Sequence, residues 1–397
     1  MFRQVKKSGA RCLALGMDIG FYTIKAVILE ETAEGPAVHH VARALTPAES
    51  LRDGVIVNQE KVAARLREII RPYAGALQGA ALSAPMQYVL VRWIDLPQMD
   101  QETLAAATRY EARKYLPFPV DSAEVVIVPT EPSEAGDEGR MRALLAAAPR
   151  NMIGTRAETL ERAGLEAASV ELEPLALLRT LNLPSRQQAT LWRGQPQACI
   201  QIGEDSSGIC VLQDMQLRFV RSISWGSHRL TEALAQELGC AWTEAQAILA
   251  DPSTAIDTTG LFSWTDQGQR CQTMALLPEL ERLQREIQRL LNYYRSLFPE
   301  RSYQGLFDRL ILCGDMADLR GLDRYFAYTF RTEVSTHNPF QAVVARISPE
   351  SFASIQGRQA SFGVAIGLAL GELQQHHPLT HAAHGPSREI VWRRKAA

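Results

Sequence analysis

Two short segments of the chain carry residue types that can hold a phosphate group. The first is Leu13–Leu29, LALGMDIGFYTIKAVIL, which reads as a buried strand, a tight turn and a second strand. Asp18 precedes the turn glycine Gly20, and Thr23 and Lys25 follow it. Backbone N–H groups of such a turn can face an anion, and the lysine adds a point charge. Taken alone the motif is weak, because any β-hairpin can have glycine at its turn.

The same pattern recurs in the second half of the chain. Cys199–Leu212, CIQIGEDSSGICVL, again places a glycine, Gly203, and a small hydroxyl residue, Ser206, between two apolar strands. Asp205 lies in this turn, and Gln201 stands where the first copy has its aspartate. Because the motif is repeated, we predict two related phosphate-binding hairpins, of which the second lacks the first carboxylate.

The composition excludes several classes of protein. Hydrophobic residues make up 46% of the 397 residues and charged residues 22%, as in an ordinary soluble globular protein of two or three domains. A net charge of −2 gives no general attraction to nucleic acid or to an anionic membrane. The longest apolar runs are shorter than the roughly 18 residues of a membrane span, and the basic N-terminus lacks a signal-peptide cleavage site. The six cysteines show no C-x-x-C spacing, which favours free thiols in a reducing cytoplasm.

The elements that follow the first hairpin predict a sheet covered by a helix. Val38–Leu45 reads as a third strand and Gly79–Ser83 as a short buried strand. Between them, Asn58 is a suitable N-cap for an amphipathic helix. The order is therefore β-β-β-α-β.

The next segment, Ala84–Pro149, changes character and reads as a small α+β insertion. Asp100 is predicted to cap its helix, and the acidic, glycine-containing Glu131–Gly139 is predicted to be a surface loop. After the insertion we predict a helix that Asn151 caps and that Gly164 ends as a left-handed residue.

The second half restarts with the repeated hairpin, after a polar boundary at Leu183–Pro196. The helix that follows the repeat is predicted to end at Gly239. A capping-box pattern predicts that Thr243 opens a short helix, and Asp251–Gln272 reads as a loop. Pro278 opens the most regular amphipathic helix of the chain. Ser361–Gln374 is predicted to be an apolar helix whose regularly spaced glycines allow close packing.

These observations divide the chain into two lobes and an insertion. The predicted segments are 10–83 and 151–190 for the first lobe, 84–150 for the insertion, 196–240 and 305–375 for the second lobe core, 241–304 for a second-lobe helical subdomain, and 376–397 for a tail. The tail carries His376, His377, His381 and His384, but their spacing is irregular and Pro378 interrupts them, so a tail is favoured over a metal site.

Several stretches resemble one protein family in order along the chain, from about Leu13 to Leu373. They resemble the type IV pilus assembly protein PilM, a relative of the cell-division protein FtsA. The matching stretches are GMDIGFYTIKAVIL, LRDGVIVNQEKVAARLREII, RYEARKYLPFPVDSAEV, VELEPLALLRTL, LPELERLQREIQRLLNYY, LILCGDMADLRGLDRYF and FGVAIGLAL. The YEARKYLPFP run is the most distinctive, because it belongs to the insertion.

The resemblance implies an α/β, actin-like (ribonuclease H-like) two-lobed fold with duplicated β-β-β-α-β-α domains and a small α+β insertion. It implies a cytoplasmic adaptor, peripheral to the inner membrane, that serves type IV pilus or competence assembly. Its partner would be the N-terminal cytoplasmic peptide of a PilN-like inner-membrane protein, alongside other pilus assembly proteins, and the membrane would be reached through that partner only.

The resemblance also implies site residues. ATP with Mg²⁺ would lie between the lobes, with Asp18 as the metal-side carboxylate. The nucleotide-binding residues would be Asp18, Gly20, Thr23, Lys25, Gly203, Asp205, Ser206 and Gly314, with 318–321 beside the adenosine. The insertion would line the partner groove, and the candidate anchors there are Tyr110, Tyr115, Leu116 and Phe118, whose other interpretation is simply the core of the insertion.

Three departures from the family pattern lie on the phosphate side. Gln201 replaces an aspartate that would help to hold Mg²⁺, and an amide brings no negative charge. Phe21 and Tyr22 stand where small hydroxyl residues are usual, and Asp315 follows Gly314 where a second glycine is usual. We therefore expect a binding protein without turnover, for which ATP is at most a structural or regulatory ligand. The alternatives are a slow ATPase or kinase of the same fold, and an FtsA-like filament protein.

Overall fold

The computed structural model describes residues 12–132, 139–182, 196–213, 216–266, 268–297, 307, 309–344, 346–347, 351–352, 355–376 and 391–392. The predicted acidic loop Glu131–Gly139 and the predicted boundary Leu183–Pro196 lie almost entirely outside these residues. Within the described chain, strands and helices alternate in the duplicated order that the sequence predicts.

The described elements, in chain order, are as follows. The strands are β1 (Leu13–Ile19), β2 (Thr23–Thr32), β3 (Gly35–Leu45), β4 (Leu51–Arg52), β5 (Val55–Ile56), β6 (Gly79–Ala84), β7 (Leu90–Pro97), β8 (Ala123–Pro132), β9 (Arg140–Pro149), β10 (Glu166–Leu172), β11 (Gln197–Ile202), β12 (Ser207–Gln213), β13 (Gln216–Ile223), β14 (Ala255–Ile256), β15 (Leu261–Thr265), β16 (Cys271–Ala275), β17 (Arg309–Cys313), β18 (Glu333–Thr336) and β19 (Val391–Trp392). The α-helices are α1 (Gln59–Ile70), α2 (Gln101–Arg113), α3 (Arg150–Arg162), α4 (Glu173–Asn182), α5 (His228–Leu238), α6 (Trp242–Ala250), α7 (Leu277–Ser296), α8 (Leu322–Phe330) and α9 (Gly363–His376).

Each lobe is organised around one mixed sheet. Lobe 1 has the order β19-β10-β6-β1-β2-β3, and lobe 2 has the order β13-β12-β11-β17-β18. In both lobes the first three strands form an antiparallel meander. A later strand, β6 in lobe 1 and β17 in lobe 2, pairs in parallel with the first strand of its lobe. The two sheets therefore share one topology, which confirms the predicted duplication.

Both faces of the lobe 1 sheet are buried. The odd positions of β1, such as Leu15 and Met17, belong to the apolar core that α1 and α3 cover. Ala14, the neighbour of Leu15, faces the other side of the sheet and packs with Ile366 and Leu370 of α9. Alternation of side chains along a strand explains this division, and burial on both faces explains why β1 and β2 are apolar at nearly every position.

The insertion is a three-stranded antiparallel sheet, β7-β9-β8, with α2 beside it. Asp100 caps α2 as predicted, since its Oδ1 accepts the Thr103 N–H at 2.8 Å. The insertion has its own small apolar core, which includes Ile94, Leu104 and Leu145. It is therefore a folded unit and not a mobile excursion from lobe 1.

The second lobe carries α5, α6, α7 and a three-stranded sheet between its third and fourth core strands. The predicted apolar stripe of α7 is buried at Leu280, Leu283, Ile287, Leu290, Leu291 and Tyr294. The other face of the lobe 2 sheet, at Cys199, Cys210 and Ile311, joins the same apolar core as lobe 1. The two lobes therefore pack against each other through a continuous apolar contact.

Local predictions are confirmed at several helix ends. The Asn58 Oδ1 accepts the Lys61 N–H at 3.2 Å at the start of α1. Gly164 has φ +91° after α3, and Gly239 ends α5 in the left-handed conformation. These positions follow local chemistry, because short polar side chains satisfy free N–H groups and glycine tolerates positive φ.

Two predicted caps are wrong. α3 begins at Arg150 after Pro149, so Asn151 lies inside the first turn. α6 begins at Trp242 after Ala241, so Thr243 also lies inside its helix and makes no capping-box contact. The N-caps are Pro149 and Ala241, so in both cases the predicted polar residue lies two positions after the N-cap.

The prediction of a loop at Asp251–Gln272 is also wrong, because β14, β15 and the first residues of β16 lie in it. Two aspartates build the turns. Asp257 Oδ1 accepts the Thr259 and Leu261 N–H groups, and Asp266 Oδ1 accepts the Gly268 and Arg270 N–H groups. Such turns order a polar sequence that has no clear hydrophobic period.

Part of the predicted tail is ordered against lobe 1. Val391–Trp392 pair antiparallel with β10, and Trp392 is only 7% exposed. Of the tail histidines, His376 ends α9 and the other three lie outside the described residues. The metal interpretation of the tail stays untested.

The glycines of α9 allow the close packing that their spacing predicts. A Cβ on Gly367 would lie 1.8 Å from the Ala176 carbonyl oxygen of α4, and a Cβ on Gly16 of β1 would lie 2.0 Å from the Ala365 carbonyl oxygen. Backbone lies against backbone at both positions. α9 is therefore wedged between the sheet and α4.

We expect Gly367→Ala to destabilise the protein by about 2–3 kcal/mol, because backbone has to move to admit the methyl group. Gly154→Ala in α3 is the matched control. Its added Cβ meets nothing within 4 Å, so it should stabilise by roughly 0.5–1 kcal/mol through helix propensity. Urea unfolding midpoints of the two variants and the wild type measure both effects. Equal midpoints for Gly367→Ala and wild type would show that α4 and α9 are not in close contact.

Candidate functional site

The two repeated hairpins meet at a cleft between the lobes. In the β1–β2 turn the Gly20 N–H donates to the Thr23 carbonyl at 2.9 Å, and in the β11–β12 turn the Gly203 N–H donates to the Ser206 carbonyl at 3.0 Å. A Cβ on either glycine would lie within 2.9 Å of that same carbonyl oxygen. The sequence repeat is therefore a repeat of three-dimensional geometry.

All the residues predicted to hold nucleotide lie at one cavity of about 90 Å³ between these turns. They are Asp18, Gly20, Thr23, Lys25, Gly203, Asp205, Ser206 and Gly314. Gly314 has φ +90°, and a Cβ there would lie 2.5 Å from the Ile202 carbonyl oxygen, so the close approach of β11 and β17 needs glycine at this position. Gln201 also lines the cavity.

Lys25 is buried in the cleft among carboxylates. Its Nζ lies 2.9 Å from Asp315 Oδ1 and 3.9 Å from Asp18 Oδ2, and its side chain is 6% exposed. Burial alone would lower the pKa of Lys25, but the carboxylates of Asp315, Asp18 and Glu204 outweigh it and raise the pKa. The ammonium therefore stays charged and already has an anionic partner from lobe 2.

Glu204 of the second hairpin reaches across the cleft to lobe 1. Its Oε1 accepts from Arg43 Nη2 at 2.8 Å, and its Oε2 accepts from Thr23 Oγ1 at 2.8 Å. Burial and the nearby Asp315 raise the pKa of Glu204, against the opposing effect of Lys25 and Arg43. The carboxylate is thus held by two lobe 1 side chains at once.

The two aspartates of the predicted site have polar partners of their own. Asp18 Oδ1 accepts from Ser83 Oγ at 2.7 Å, and Asp205 Oδ2 accepts from Gln87 Nε2 at 2.6 Å. Among the residues that the structure describes, no group of three or more His, Cys, Asp or Glu side chains is arranged to hold a metal ion. The role of Asp18 as a metal ligand stays a prediction.

Glu173, at the start of α4, is a titratable group that the sequence analysis did not identify. It lines the cavity, and burial, followed by the charge of Asp18, raises its pKa to about 8. One of its oxygens accepts the Met86 N–H at 3.2 Å. The buried Arg156 guanidinium contributes an opposing charge to the same cluster and donates to the Ile19 carbonyl at 3.1 Å. A proton is therefore retained on this carboxyl at neutral pH.

A second, larger cavity of about 280 Å³ adjoins the first and is lined by Asp318, Leu319 and Arg320, where the adenosine was predicted. Tyr22 of the first turn lies at its wall. The Tyr22 ring stacks on His228 and on Trp242 of lobe 2, with 5.6 Å between ring centroids in both pairs. A lobe 1 aromatic side chain thus lies between two lobe 2 rings.

The residues at the phosphate end do not fit a triphosphate in this arrangement. Five acidic side chains line the first cavity, and its basic side chains are Lys25 and Arg156. Lys25 is paired with Asp315, and the carboxylate of Glu204 holds Thr23. A phosphate would therefore have to displace these carboxylates while adding negative charge beside them.

Sequence reasoning missed Glu204, Arg43 and Glu173. Glu204 directly follows the second turn glycine, so its position in a turn that faces the cleft was an available signal. Arg43 is opposite Lys25 in the β2–β3 register, which no local pattern reveals before strand pairing is known. Glu173 follows a buried strand, and its pKa is raised by burial and by Asp18, which is far from it in the sequence. No local pattern indicates either cause.

The predicted partner anchors lie on the insertion, apart from the cleft. Tyr110 on α2 is 67% exposed, and Lys114 Nζ lies 5.2 Å from its ring centroid. Tyr115 and Leu116 are half-buried and pack on the core of the insertion, and Phe118 is half-buried. Tyr110 is therefore free to contact another molecule, whereas Tyr115 and Leu116 also support the insertion itself.

Comparison with known proteins gives a family match along almost the whole chain. The family model described as type IV pilus assembly protein PilM matches residues 16–373. The chain is also similar to the cell division protein FtsA of Streptococcus pneumoniae serotype 2 (strain D39 / NCTC 7466). The two are 21% identical over 402 aligned positions, which cover 92% of this chain and 84% of that protein.

Solved structures give the same fold. The chain is similar to a structure described as the PilM-PilN type IV pilus biogenesis complex, with a TM-score of 0.74, 24% identity, and coverage of 91% of this chain and 98% of that one. It is also similar to MreB5 of Spiroplasma citri bound to ADP, with a TM-score of 0.50, 13% identity, and coverage of 93% and 98%. At these identities the likeness shows the fold, which is actin-like and confirms the predicted fold class.

The charge state of Glu173 makes a pH-dependent prediction. Its pKa is about 8 when folded and about 4.3 in an unfolded chain, so between these values the folded protein binds the extra proton and stability falls as pH rises. Glu173→Gln keeps the shape and removes the titration. We expect its free energy of unfolding, measured by urea denaturation, to rise relative to wild type between pH 5 and pH 8, by roughly 3 kcal/mol.

Glu237→Gln, at an exposed position of α5, is the control and should show no pH-dependent difference from wild type. A constant difference between Glu173→Gln and wild type across this pH range would mean that Glu173 ionises normally in the folded protein.

Proposed function

The chain belongs to the type IV pilus assembly protein PilM family, and we propose that it is an adaptor that binds the N-terminal cytoplasmic peptide of a PilN-like inner-membrane protein. The family match over residues 16–373 is the observation that carries the proposal, because it spans both lobes and the insertion. The similarity to a solved PilM-PilN complex supports this partner. Other pilus assembly proteins would bind the rest of the surface.

The location that we propose is the cytoplasmic face of the inner membrane, reached through the partner. None of the described helices is both long and apolar enough to cross a membrane. A net charge of −2 gives no general attraction to anionic lipid or nucleic acid. An adaptor held by an inner-membrane peptide needs neither property.

The insertion supplies the partner surface in this proposal. Tyr110 presents an aromatic side chain to solvent on α2, with Lys114 beside it. Tyrosine is enriched among residues that dominate binding energy, because it buries apolar area and offers a hydroxyl group at little entropic cost. Tyr115, Leu116 and Phe118 would form the floor of the groove, because they are partly buried and partly accessible.

ATP with Mg²⁺ has at most a structural or regulatory place in this proposal. The nucleotide-binding residues predicted from the resemblance lie together, but Lys25 and Thr23 are bound to lobe 2 carboxylates. Gln201 stands where the first hairpin has Asp18, and its amide offers no carboxylate to a metal at that position. We derive no hydrolytic step, and the adaptor function does not depend on one.

Calorimetry with a synthetic peptide of the PilN-like N-terminus tests the proposal. We expect one peptide per protein to bind, and Tyr110→Ala to weaken binding by about tenfold or more, since truncating a residue that dominates an interface costs about 2 kcal/mol or more. Tyr328→Ala is the matched control, because Tyr328 is 72% exposed on α8 of lobe 2.

The control variant should bind the peptide as the wild type does. If the wild type does not bind the peptide, the adaptor proposal is wrong. If Tyr110→Ala and Tyr328→Ala are indistinguishable from wild type, the peptide binds elsewhere than on the insertion.

A further inference from the structure

We propose that Glu204 and Asp315 are built-in anions that occupy the place of nucleotide phosphates and hold the two lobes closed without a bound nucleotide. The proposal goes beyond the adaptor function and does not depend on it. The cleft contains side chains of the kinds that bind phosphate, but these side chains are already hydrogen-bonded to carboxylates of the protein.

The donors on lobe 1 are of the kinds that bind phosphate. They are the Lys25 ammonium, the Thr23 hydroxyl and the Arg43 guanidinium. Each donates to a lobe 2 carboxylate at 2.8–3.1 Å: Lys25 to Asp315, and the other two to Glu204. Carboxylates accept the same charge-assisted hydrogen bonds as phosphate oxygens, so these donors are satisfied by the protein itself.

The contacts cross between the lobes and are largely removed from water. The side chains of Lys25, Asp315, Arg43 and Glu204 are 6–17% exposed. Separating the lobes would leave Glu204 without Thr23 and Arg43. It would also leave Lys25 with only the more distant Asp18 of its own lobe at 3.9 Å, and both losses are costly. The ion pairs therefore favour the closed arrangement.

Two contacts that are not ion pairs extend the same closure on either side. Tyr22 stacks between His228 and Trp242, and Gln87 beside the insertion donates to Asp205 at 2.6 Å. Tyr22 and Asp315 are two of the departures from the family pattern, and both contact the opposite lobe. The departures thus replace ligand contacts with contacts between the lobes.

The double variant Glu204→Gln/Asp315→Asn tests the proposal, with Mg-ATP as the probe. Small-angle X-ray scattering should show the same radius of gyration for the wild type with and without Mg-ATP. The double variant should have a larger radius without nucleotide. Calorimetry should show that it binds Mg-ATP at least about tenfold more tightly than wild type, because Lys25, Thr23 and Arg43 become available to phosphate.

Glu333→Gln is the control, since Glu333 pairs with Arg309 inside lobe 2 and not across the cleft. It should match wild type in both measurements. A wild type that contracts on addition of Mg-ATP, or a double variant with wild-type radius and affinity, would overturn the proposal.

A milder variant keeps the test decisive if the double variant does not fold. Arg43→Gln removes one of the two donors to Glu204 and leaves the Lys25–Asp315 pair in place. Hydrogen exchange at the 203–206 turn should become several-fold faster than in wild type, as expected for a weakened closed state. Unchanged exchange there would overturn the proposal.

At one edge of the lobe 1 sheet, β10 pairs with the short strand β19. We infer that the outer edge of β10 is a docking position for an extended peptide, and that the chain's own β19 fills it when the partner peptide is absent. This inference rests on the proposed function, because the displacing occupant is the PilN-like peptide. Addition of an extended peptide to a free sheet edge is a common mode of recognition.

The contacts of β19 carry this inference. Trp392 is paired with Val170 of β10 and buried in the lobe 1 core, and β19 also lies beside β8 of the insertion. The position is therefore continuous with the insertion that supplies the proposed partner surface. Among the described residues, Val391 and Trp392 form the pairing with β10, and the buried Trp392 Nε1 has no hydrogen-bond partner. An imperfectly satisfied occupant is easier to displace.

Trp392→Ala in the full-length chain tests this inference by calorimetry with the PilN-like peptide and by hydrogen exchange at Val170 and Glu171. We expect the variant to bind the peptide several-fold more tightly than wild type, with faster exchange at β10 that the peptide slows again. Tyr328→Ala should change neither result. Unchanged or weaker peptide binding, or β10 amides that the peptide leaves unprotected, would overturn this inference alone. Absence of peptide binding by both proteins would overturn the proposed function with it.

Discussion

The ion pair between Lys25 and Asp315 is the interaction on which the arrangement of the cleft depends. A buried ammonium is stable only with an anionic partner nearby, and here the partner comes from the opposite lobe. Lys25 lies on β2 of the lobe 1 sheet, and Asp315 follows β17 of the lobe 2 sheet. The contact between them therefore fixes the position of one sheet relative to the other. Glu204, Thr23 and Arg43 repeat the same kind of contact a few ångströms away.

The duplicated hairpin explains how one chain comes to have complementary surfaces. Both turns close with the same glycine hydrogen bond, so both present their tips to the cleft. The first hairpin carries Thr23 and Lys25 as donors, and the second carries the Glu204 carboxylate, where a hairpin of the same shape would otherwise leave room for phosphate. An actin-like fold can therefore keep its two-lobed shape while the ligand between the lobes is replaced by side chains. Such a closed body suits the proposed adaptor, which would present a fixed surface to a peptide.

Much of the fold follows from local sequence, and much of the site does not. The apolar hairpin strands, the stripe of α7 and the caps at Asn58, Asp100, Gly164 and Gly239 were predictable, because each depends on neighbours in the sequence. The site residues predicted from the repeat and from the family resemblance do line one cavity. Their partners were not predictable. Arg43 and Glu204 are 161 positions apart, and only the completed fold brings them to 2.8 Å.

We propose that carboxylates of lobe 2, and not phosphates, neutralise the donors of lobe 1. A crystal structure of the whole chain grown with excess Mg-ATP distinguishes the two. We predict a closed cleft in which Lys25 Nζ still contacts Asp315 at about 2.9 Å and no phosphate density lies beside it. Phosphate density between Lys25 and Gly203, with Asp315 turned away, would contradict the account.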